Sequence, residues 1–431
     1  MSIPLDRLYH FIEDIAKEIV NGGILIYHFY PHGSKNINDF KELVPEYSWQ
    51  EKILKLPILC HDQEPLNHDL YQNHVYNTDF IKILKSRSLY RDRNLTQPTI
   101  YNKSCLLHSE KRSLNLITYQ ENHQCVGVYY WCHAVIALDW FRFAEYVKQE
   151  KQVKKLFLIY NRAWSSTREY RLRFTDMLVQ LSLQEHCQTT VNPIEPELGV
   201  HYDSHQFRNP AWRPQTVIEN YFPISNAHSH YSADFDIKDY ESTDIEVVLE
   251  TLFDDDRLHL TEKSLRPIAC GQPFILAGTH GSLEYLRSYG FKTFNDIWDE
   301  SYDLIEDPQK RLHAITDVMI QIANLDPSDR ERKIARAQII AEYNKQRFFS
   351  KEFFNQVVSE LTINLTTALG QIVADFDTTP FINGWERVLS HKEVCNCLES
   401  TIDDSKPTLT QVNAVLKIAK NLQKSKVNFF Q

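Results

Sequence analysis

The run from Glu246 to Asp303 constrains this chain more than any other stretch. Glu246-Val-Val-Leu-Glu250 leads β-branched and apolar residues up to a carboxylate, the pattern of a short buried strand with an acid at its C-terminal edge. A polar turn, Phe253-Asp-Asp-Asp-Arg257, follows. From Thr261-Glu-Lys263 onward, Leu265, Ile268 and Ala269 share one helix face, and Gly271 supplies a stop. Pro273 to Ala277 predicts the next strand. Strand, turn, helix and strand form one right-handed βαβ unit. Such a unit requires a parallel sheet, whose ligands bind beyond the C-terminal strand ends. A threonine hydroxyl, a lysine and free backbone N–H groups at a helix start favour an anion. Capping alone would also account for Thr261. Glu250 and Glu262 are placed to accept hydrogen bonds from hydroxyls such as those of a ribose.

The chain before this run alternates helices and strands. Residues 3–20 carry apolar side chains at helical spacing, ended by Asn21-Gly-Gly23, and Ile24–Tyr27 predicts a buried strand. Leu56–Cys60 predicts another, delivering His61-Asp-Gln-Glu-Pro65. Asp62 or Glu64 is then the candidate general base for deprotonating an acceptor hydroxyl, with Pro65 holding Glu64 extended. Residues 79–93 gather Lys82, Lys85, Arg87, Arg91 and Arg93, which reads as a solvated helix face or a contact for an anionic acceptor, DNA phosphates included. Leu106–Glu110 predicts a third strand with a polar exit, and Tyr129–Glu145 an aromatic-rich helix, apolar all round and therefore buried. Lys148–Lys155 is charged, lacks apolar anchors and reads as a linker. Leu156–Tyr160 is an all-apolar strand that opens a second sheet; Asn161-Arg162 and a helix from about Thr167 with Arg168, Arg171 and Arg173 come next. Residues 187–245 show little periodicity. Beyond the central run, a helix at 283–290, a strand at Phe291–Phe294 and helices at 309–325, 327–348 and 351–374 are expected, with 380–431 as helical decoration.

A chain of 431 residues accommodates two domains. No apolar run approaches the roughly 20 residues of a membrane span, and Glu13, Asp14 and Glu18 interrupt the only signal-like N-terminal stretch. The eight cysteines are scattered, several inside expected strands or helices, which fits reduced thiols and a cytoplasmic location. A net charge of −10 argues against a nucleic-acid coat. No glycine-rich phosphate loop is present, which disfavours a phosphotransferase.

Glu250, His259 and Thr261-Glu262-Lys263, followed by a helix, Gly271-Gln-Pro273 and a strand, resemble the donor-binding motif of the α1,3-fucosyltransferases (glycosyltransferase family 10). The motif's phenylalanine and asparagine are replaced by Leu249 and Thr251, and the turn before Thr261 is longer. The Asn161-Arg162 exit is similar to the same family, with Arg171 as a weaker counterpart of its second basic group. The resemblance implies that Arg162, Arg171, Glu250, His259, Thr261, Glu262 and Lys263 hold a nucleotide-diphosphate sugar, the donor substrate. It implies an α/β fold of two Rossmann-like domains facing across a cleft (GT-B type) with C-terminal helices: 1–150 on the acceptor side, 151–345 on the donor side, 346–431 helical. It further implies an inverting transfer to a hydroxyl acceptor with no metal and no cofactor. Planar guanidinium and fixed ammonium groups can neutralise a departing diphosphate. Asp254-Asp-Asp256 offers a rival site for a divalent metal, although its turn is expected to face solvent. Two alternatives stand beside a glycan acceptor. One is a DNA-modifying glycosyltransferase acting on a hydroxylated base extruded from the duplex. The other is a non-catalytic nucleotide-sugar binding module.

Overall fold

The computed structural model describes residues 25–28, 58–61, 65–66, 104–123, 125–142, 144–146, 150–196, 198–223 and 235–372. The expected helix at 3–20, the candidate bases Asp62 and Glu64, the basic stretch 79–93 and residues 380–431 lie outside the described residues. The chain divides into two compact units, one built from residues up to Asp139 and again from Phe354, the other from Trp140–Phe353.

In the first unit, β1 (Leu25–His28), β2 (Ile58–His61), β3 (Ser104–His108) and β4 (Val126–Tyr129) form a wholly parallel sheet in the order β1-β2-β3-β4. Helix α1 (Leu114–His123) crosses between β3 and β4. It packs so closely on β4 that a Cβ at Gly127 would lie 2.9 Å from Leu116 Cδ1. The aromatic helix α2 runs Cys132–Trp140 and is buried from Cys132 to Leu138, as its composition predicts, but it starts three residues later than expected. Val126–Tyr129 is drawn into the sheet beside β3 instead, Leu106 opposite Gly127.

The second unit contains β5 (Lys155–Asn161), α3 (Tyr170–Gln180), β6 (Cys187–Val191), α4 (Ile237–Glu241), β7 (Thr243–Leu249), α5 (Glu262–Cys270), β8 (Phe274–Ala277), α6 (Ser282–Ser288), α7 (Pro308–Ala323) and α8 (Pro327–Phe348). Helix α9 (Lys351–Ile372) begins here and continues into the first unit's part of the chain. Strand order is β6-β5-β7-β8, all parallel. β5, β7 and β8 are mostly buried, with Phe157, Ile245, Val247 and Ile275 fully so, whereas the edge strand β6 is polar. From β5 the chain winds outward to β6 and then returns past β5 to β7. That reversal is a topological switch point, between β5 and β7.

Local chemistry explains the central unit. The Thr261 side chain caps α5 by accepting from Lys263 N, and Gly271 closes it in the left-handed region at φ 68°. Beneath the helix, Arg266 pairs with the fully buried Glu246 at 2.6 Å and lies over the Tyr160 ring, while Tyr240 donates to the same carboxylate at 2.5 Å. The charged stretch before β5 is anchored rather than loose. Lys151 Nζ donates to Tyr240 O, Thr243 O and Gln272 Oε1 at 2.7, 2.8 and 2.5 Å.

Phe291–Phe294 forms no strand. Its rings are buried against Phe353 and Phe274, while Lys292 N and Phe294 N donate to the side chains of Asn344 and Glu300. Those acceptors replace a strand partner. Tyr302 Oη meanwhile takes Leu276 N on β8, which blunts that edge of the sheet.

Candidate functional site

Glu250 is the first residue beyond β7 and is fully buried. Its Oε1 accepts from Thr261 N at 3.1 Å, Ser264 N at 3.2 Å and Ser264 Oγ at 2.5 Å. Its Oε2 accepts from Thr251 N at 3.0 Å and Thr261 Oγ1 at 2.7 Å. Five donors on two oxygens use the lone pairs of a carboxylate. The acid therefore pins the first turn of α5 onto the end of β7, and the expected hydrogen bond to a ribose has no lone pair left to use. The first-turn N–H groups of Lys263 and Ser264, expected to be free, are capped by Thr261 and Glu250.

Lys263 follows from that lock. Its ammonium lies 3.1 Å from Glu262 Oε1 and 3.2 and 3.3 Å from the hydroxyls of Thr261 and Thr251. Thr261 and Glu262 are both buried. His259 is 2% exposed, beneath the turn that precedes the helix.

The arginines after β5 divide sharply. Arg171, on α3, is buried and donates from Nη1 to Ala163 O at 2.7 Å and from Nη2 to Leu249 O at 2.8 Å and Glu250 O at 3.1 Å. It ties the β5 exit to the β7 exit through carbonyl groups, so its fork is already committed to the backbone and a contact with phosphate is not its geometry. Tyr170 supports the same junction, donating to Glu250 O at 2.7 Å and stacking on Phe253 at 4.3 Å. Arg311 does the equivalent work between β7 and β8. Buried over Phe253, it donates to Phe253 O at 2.5 Å and Gly278 O at 3.1 Å. Arg162, the residue directly after β5, is half-buried and makes no hydrogen bond or ion pair among the described residues.

The acidic turn is not uniformly open. Asp255 forms a two-point pair with Arg257 at 2.9 and 2.7 Å. Asp256 is exposed, but Asp254 is half-buried. Burial lifts its carboxyl above the usual range, against the opposing pull of Arg173, Arg208 and Arg311. Among the described residues, no group of three or more His, Cys, Asp or Glu side chains is arranged to hold a metal ion.

Sequence reasoning missed the loop after β6. Asp176 on α3 accepts from Gln215 N, Thr216 N and the Thr216 hydroxyl, and Glu169 accepts from Arg208 N and His205. These bonds hold an aromatic cluster of buried Trp164 and Phe207 with Trp212 and the exposed Arg213 after the β5 exit. In the sequence this stretch shows only many His, Asn, Pro and Ser residues and little periodicity.

In the first unit, the polar exit of β3 resolves into a buried cluster. His108 Nδ1 accepts from Glu110 N at 3.3 Å, and burial pulls its pKa down to about 4, so the ring is neutral near pH 7. Glu110 Oε1 accepts from Leu66 N at 2.5 Å, and Asn115 Nδ2 donates to Leu66 O at 2.6 Å. Leu66 stands two positions after Glu64, so the chain leaving the candidate bases is fastened to the β3 exit.

No family model, no curated protein and no solved structure matches this chain. What is established is a mixed α/β chain with two parallel sheets. Among its described residues, no helix is long and apolar enough to cross a membrane.

Proposed function

We propose that the chain is a glycosyltransferase of the two-domain GT-B type, transferring a sugar from a nucleotide-diphosphate donor to a hydroxyl acceptor with inversion and without a metal. One observation carries the reading: Arg162 and Lys263 stand at the exits of β5 and β7, neighbouring parallel strands on the two sides of a switch point. Each is oriented by something other than a ligand. Arg162 follows directly on its strand, and Lys263 is held by the Glu250 lock on α5.

The reaction assigns each group a task. A carboxylate of the first unit, Asp62 or Glu64, takes the proton of the acceptor hydroxyl. The hydroxyl oxygen attacks the anomeric carbon as the bond to the diphosphate oxygen breaks. The leaving charge falls on Arg162 and Lys263. Glu250, Arg171 and Arg311 act as positioning residues that fix the rim. Thr261 and Glu262 orient the ammonium of Lys263.

The test uses nucleoside diphosphates and their sugars as probes in a thermal-shift titration. At least one should stabilise the wild type saturably. Lys263→Ala should weaken that ligand by about ten- to a hundredfold, the equivalent of losing one or two charge-assisted hydrogen bonds. Wild-type affinity and turnover in Lys263→Ala would sink the assignment.

A further inference from the structure

Several arginines of the second unit are committed to the fold. Arg257, Arg266 and Arg287 pair with Asp255, Glu246 and Glu300, while Arg171 and Arg311 are tied to carbonyls. Arg173, Arg208 and Arg213 are different: among the described residues none has a carboxylate within ion-pair distance. All three meet at the loop after β6. Arg173, on α3, lies over the Trp212 ring at 5.3 Å, and Arg213 lies over Phe207 at 5.1 Å. The two rings touch edge to face at 4.8 Å. Arg208 follows Phe207 directly, and its main-chain N–H is fixed at 2.9 Å on Glu169, the cap of α3. The patch stands at the C-terminal end of the sheet, the end that carries the rim. Trp164, three residues past β5, stacks on Phe207 and donates to Asn192 O, directly after β6.

The acids beside this patch do not answer its charge. Glu169 accepts from Arg208 N and His205, Asp176 accepts from Gln215 N, Thr216 N and the Thr216 hydroxyl, and Asp255 pairs with Arg257. The net charge of −10 belongs to the whole chain, whereas the field at this face is set by three guanidinium groups. Arg208 and Arg213 are exposed, and Arg173 and Trp212 are half-buried. Arg213 is also held in place. Its Nη1 donates to Trp212 O at 2.6 Å and Pro210 O at 3.5 Å, which leaves the Nε and Nη2 edge without a protein acceptor among the described residues. That edge is the planar fork that takes two phosphate oxygens. One inorganic anion would use one such fork. Two exposed forks on one loop, with an indole between them and Arg173, suit a run of phosphates that also carries flat π faces. An acidic peptide lacks those faces, and a duplex keeps them stacked inside. A single strand of nucleic acid offers both.

We propose that the loop carrying Arg208, Trp212 and Arg213, together with Arg173, binds a single-stranded nucleic acid, its phosphates on the arginines and a base against Trp212. That such a strand is the acceptor of a sugar rests on the transferase reading; the binding itself does not. The probe is fluorescein-labelled single-stranded DNA of about 20 nucleotides, titrated with the full chain and read by anisotropy. Binding should saturate and weaken with salt, with a log–log slope of about −2, the value for about three phosphates on a single strand. Arg208→Gln and Arg213→Gln should each weaken it about five- to tenfold and flatten the slope by about 0.7. Both side chains are exposed, and Arg208→Gln keeps the main-chain N–H on Glu169, so that variant leaves the fold intact. Trp212→Leu should remove the preference for the strand over inorganic polyphosphate. Lys263→Ala should bind the strand as the wild type does, so failure of the transferase reading and failure of this one appear in separate titrations. No saturable binding at low salt overturns the proposal. Equal affinity for polyglutamate or for a duplex of the same length does so as well. So does a response that ignores both arginine substitutions, a preference unaltered in Trp212→Leu, or binding that vanishes in Lys263→Ala.

Discussion

β3 and β7 leave their sheets in the same manner, each with a buried carboxylate just past the last strand residue. Glu110 follows His108 by two positions and Glu250 follows Leu249 directly; both accept main-chain N–H groups from another segment. Their surroundings differ. Glu250 lies among cations, with Arg171 donating to its carbonyl and Lys263 one helical turn away. Glu110 lies beside an imidazole that burial keeps neutral. At the β7 exit the acid has no spare lone pair to offer a ligand. Each fastens the stretch that carries the candidate chemistry: Glu250 holds the helix start bearing Lys263, and Glu110 holds Leu66, two positions after Glu64. An acid at the end of a parallel strand is therefore first an organiser of the rim.

The sharpest way to break that parallel is Glu250→Ala. It strands the N–H groups of Thr261 and Ser264 and two hydroxyls in a buried setting, and should cost about 3–4 kcal/mol, read by urea unfolding. Glu250→Gln, which keeps one acceptor oxygen, should recover part of the loss. A stability within about 0.5 kcal/mol of wild type would return Glu250 to the role of a ligand contact.

On the first sheet the corresponding test is acid. His108 has its pKa lowered to about 4 from an ordinary 6.5. Above pH 6.5 the ring is neutral in both folded and unfolded chains. Between 6.5 and 4 only the unfolded chain takes up the proton, so stability falls as pH drops and levels off below about 4. The slope should approach about 1.4 kcal/mol per pH unit, accumulating about 3 kcal/mol over the window. His108→Asn should flatten the profile over that window. An unchanged slope in that variant would mean that the β3 exit holds no neutral imidazole, and its likeness to the β7 exit would reduce to geometry alone.

These contrasts mark where sequence was legible. The β7–α5–β8 unit could be read because its signals are local: a capping threonine, apolar spacing on one face, and a glycine that adopts the left-handed stop. The parallel sheets and the helices at 308–348 followed from the same kind of pattern. The family resemblance ranks Arg171 below Arg162, but nothing in the pattern marks Arg171 as a staple of the scaffold. What separates them is supplied by the carbonyls of Leu249 and Glu250, from a distant part of the chain. Glu250 looked like a ligand contact for the same reason, because its donors come from across the inserted turn. Phe291–Phe294 has strand composition, yet its N–H groups are met by Asn344 and Glu300 side chains. Pattern reports which faces are apolar; it does not report which polar group will be satisfied by a remote partner.

Arg162→Ala carries the smallest stability change and separates scaffold from site most cleanly. Its guanidinium has no protein acceptor among the described residues, so removing it should leave unfolding within about 0.5 kcal/mol of wild type. If the rim binds a diphosphate, the same change should weaken nucleoside diphosphate by about tenfold or more, read by calorimetric titration, with Arg162→Lys restoring only part. The ammonium keeps the charge but loses the planar fork, so partial rescue separates two-point phosphate contact from simple attraction. A variant that is both fully stable and fully competent for binding would leave Lys263 as the sole rim cation in the proposed chemistry. A variant that unfolds would show Arg162 to be a staple like Arg171, and the contrast between the two arginines would be lost.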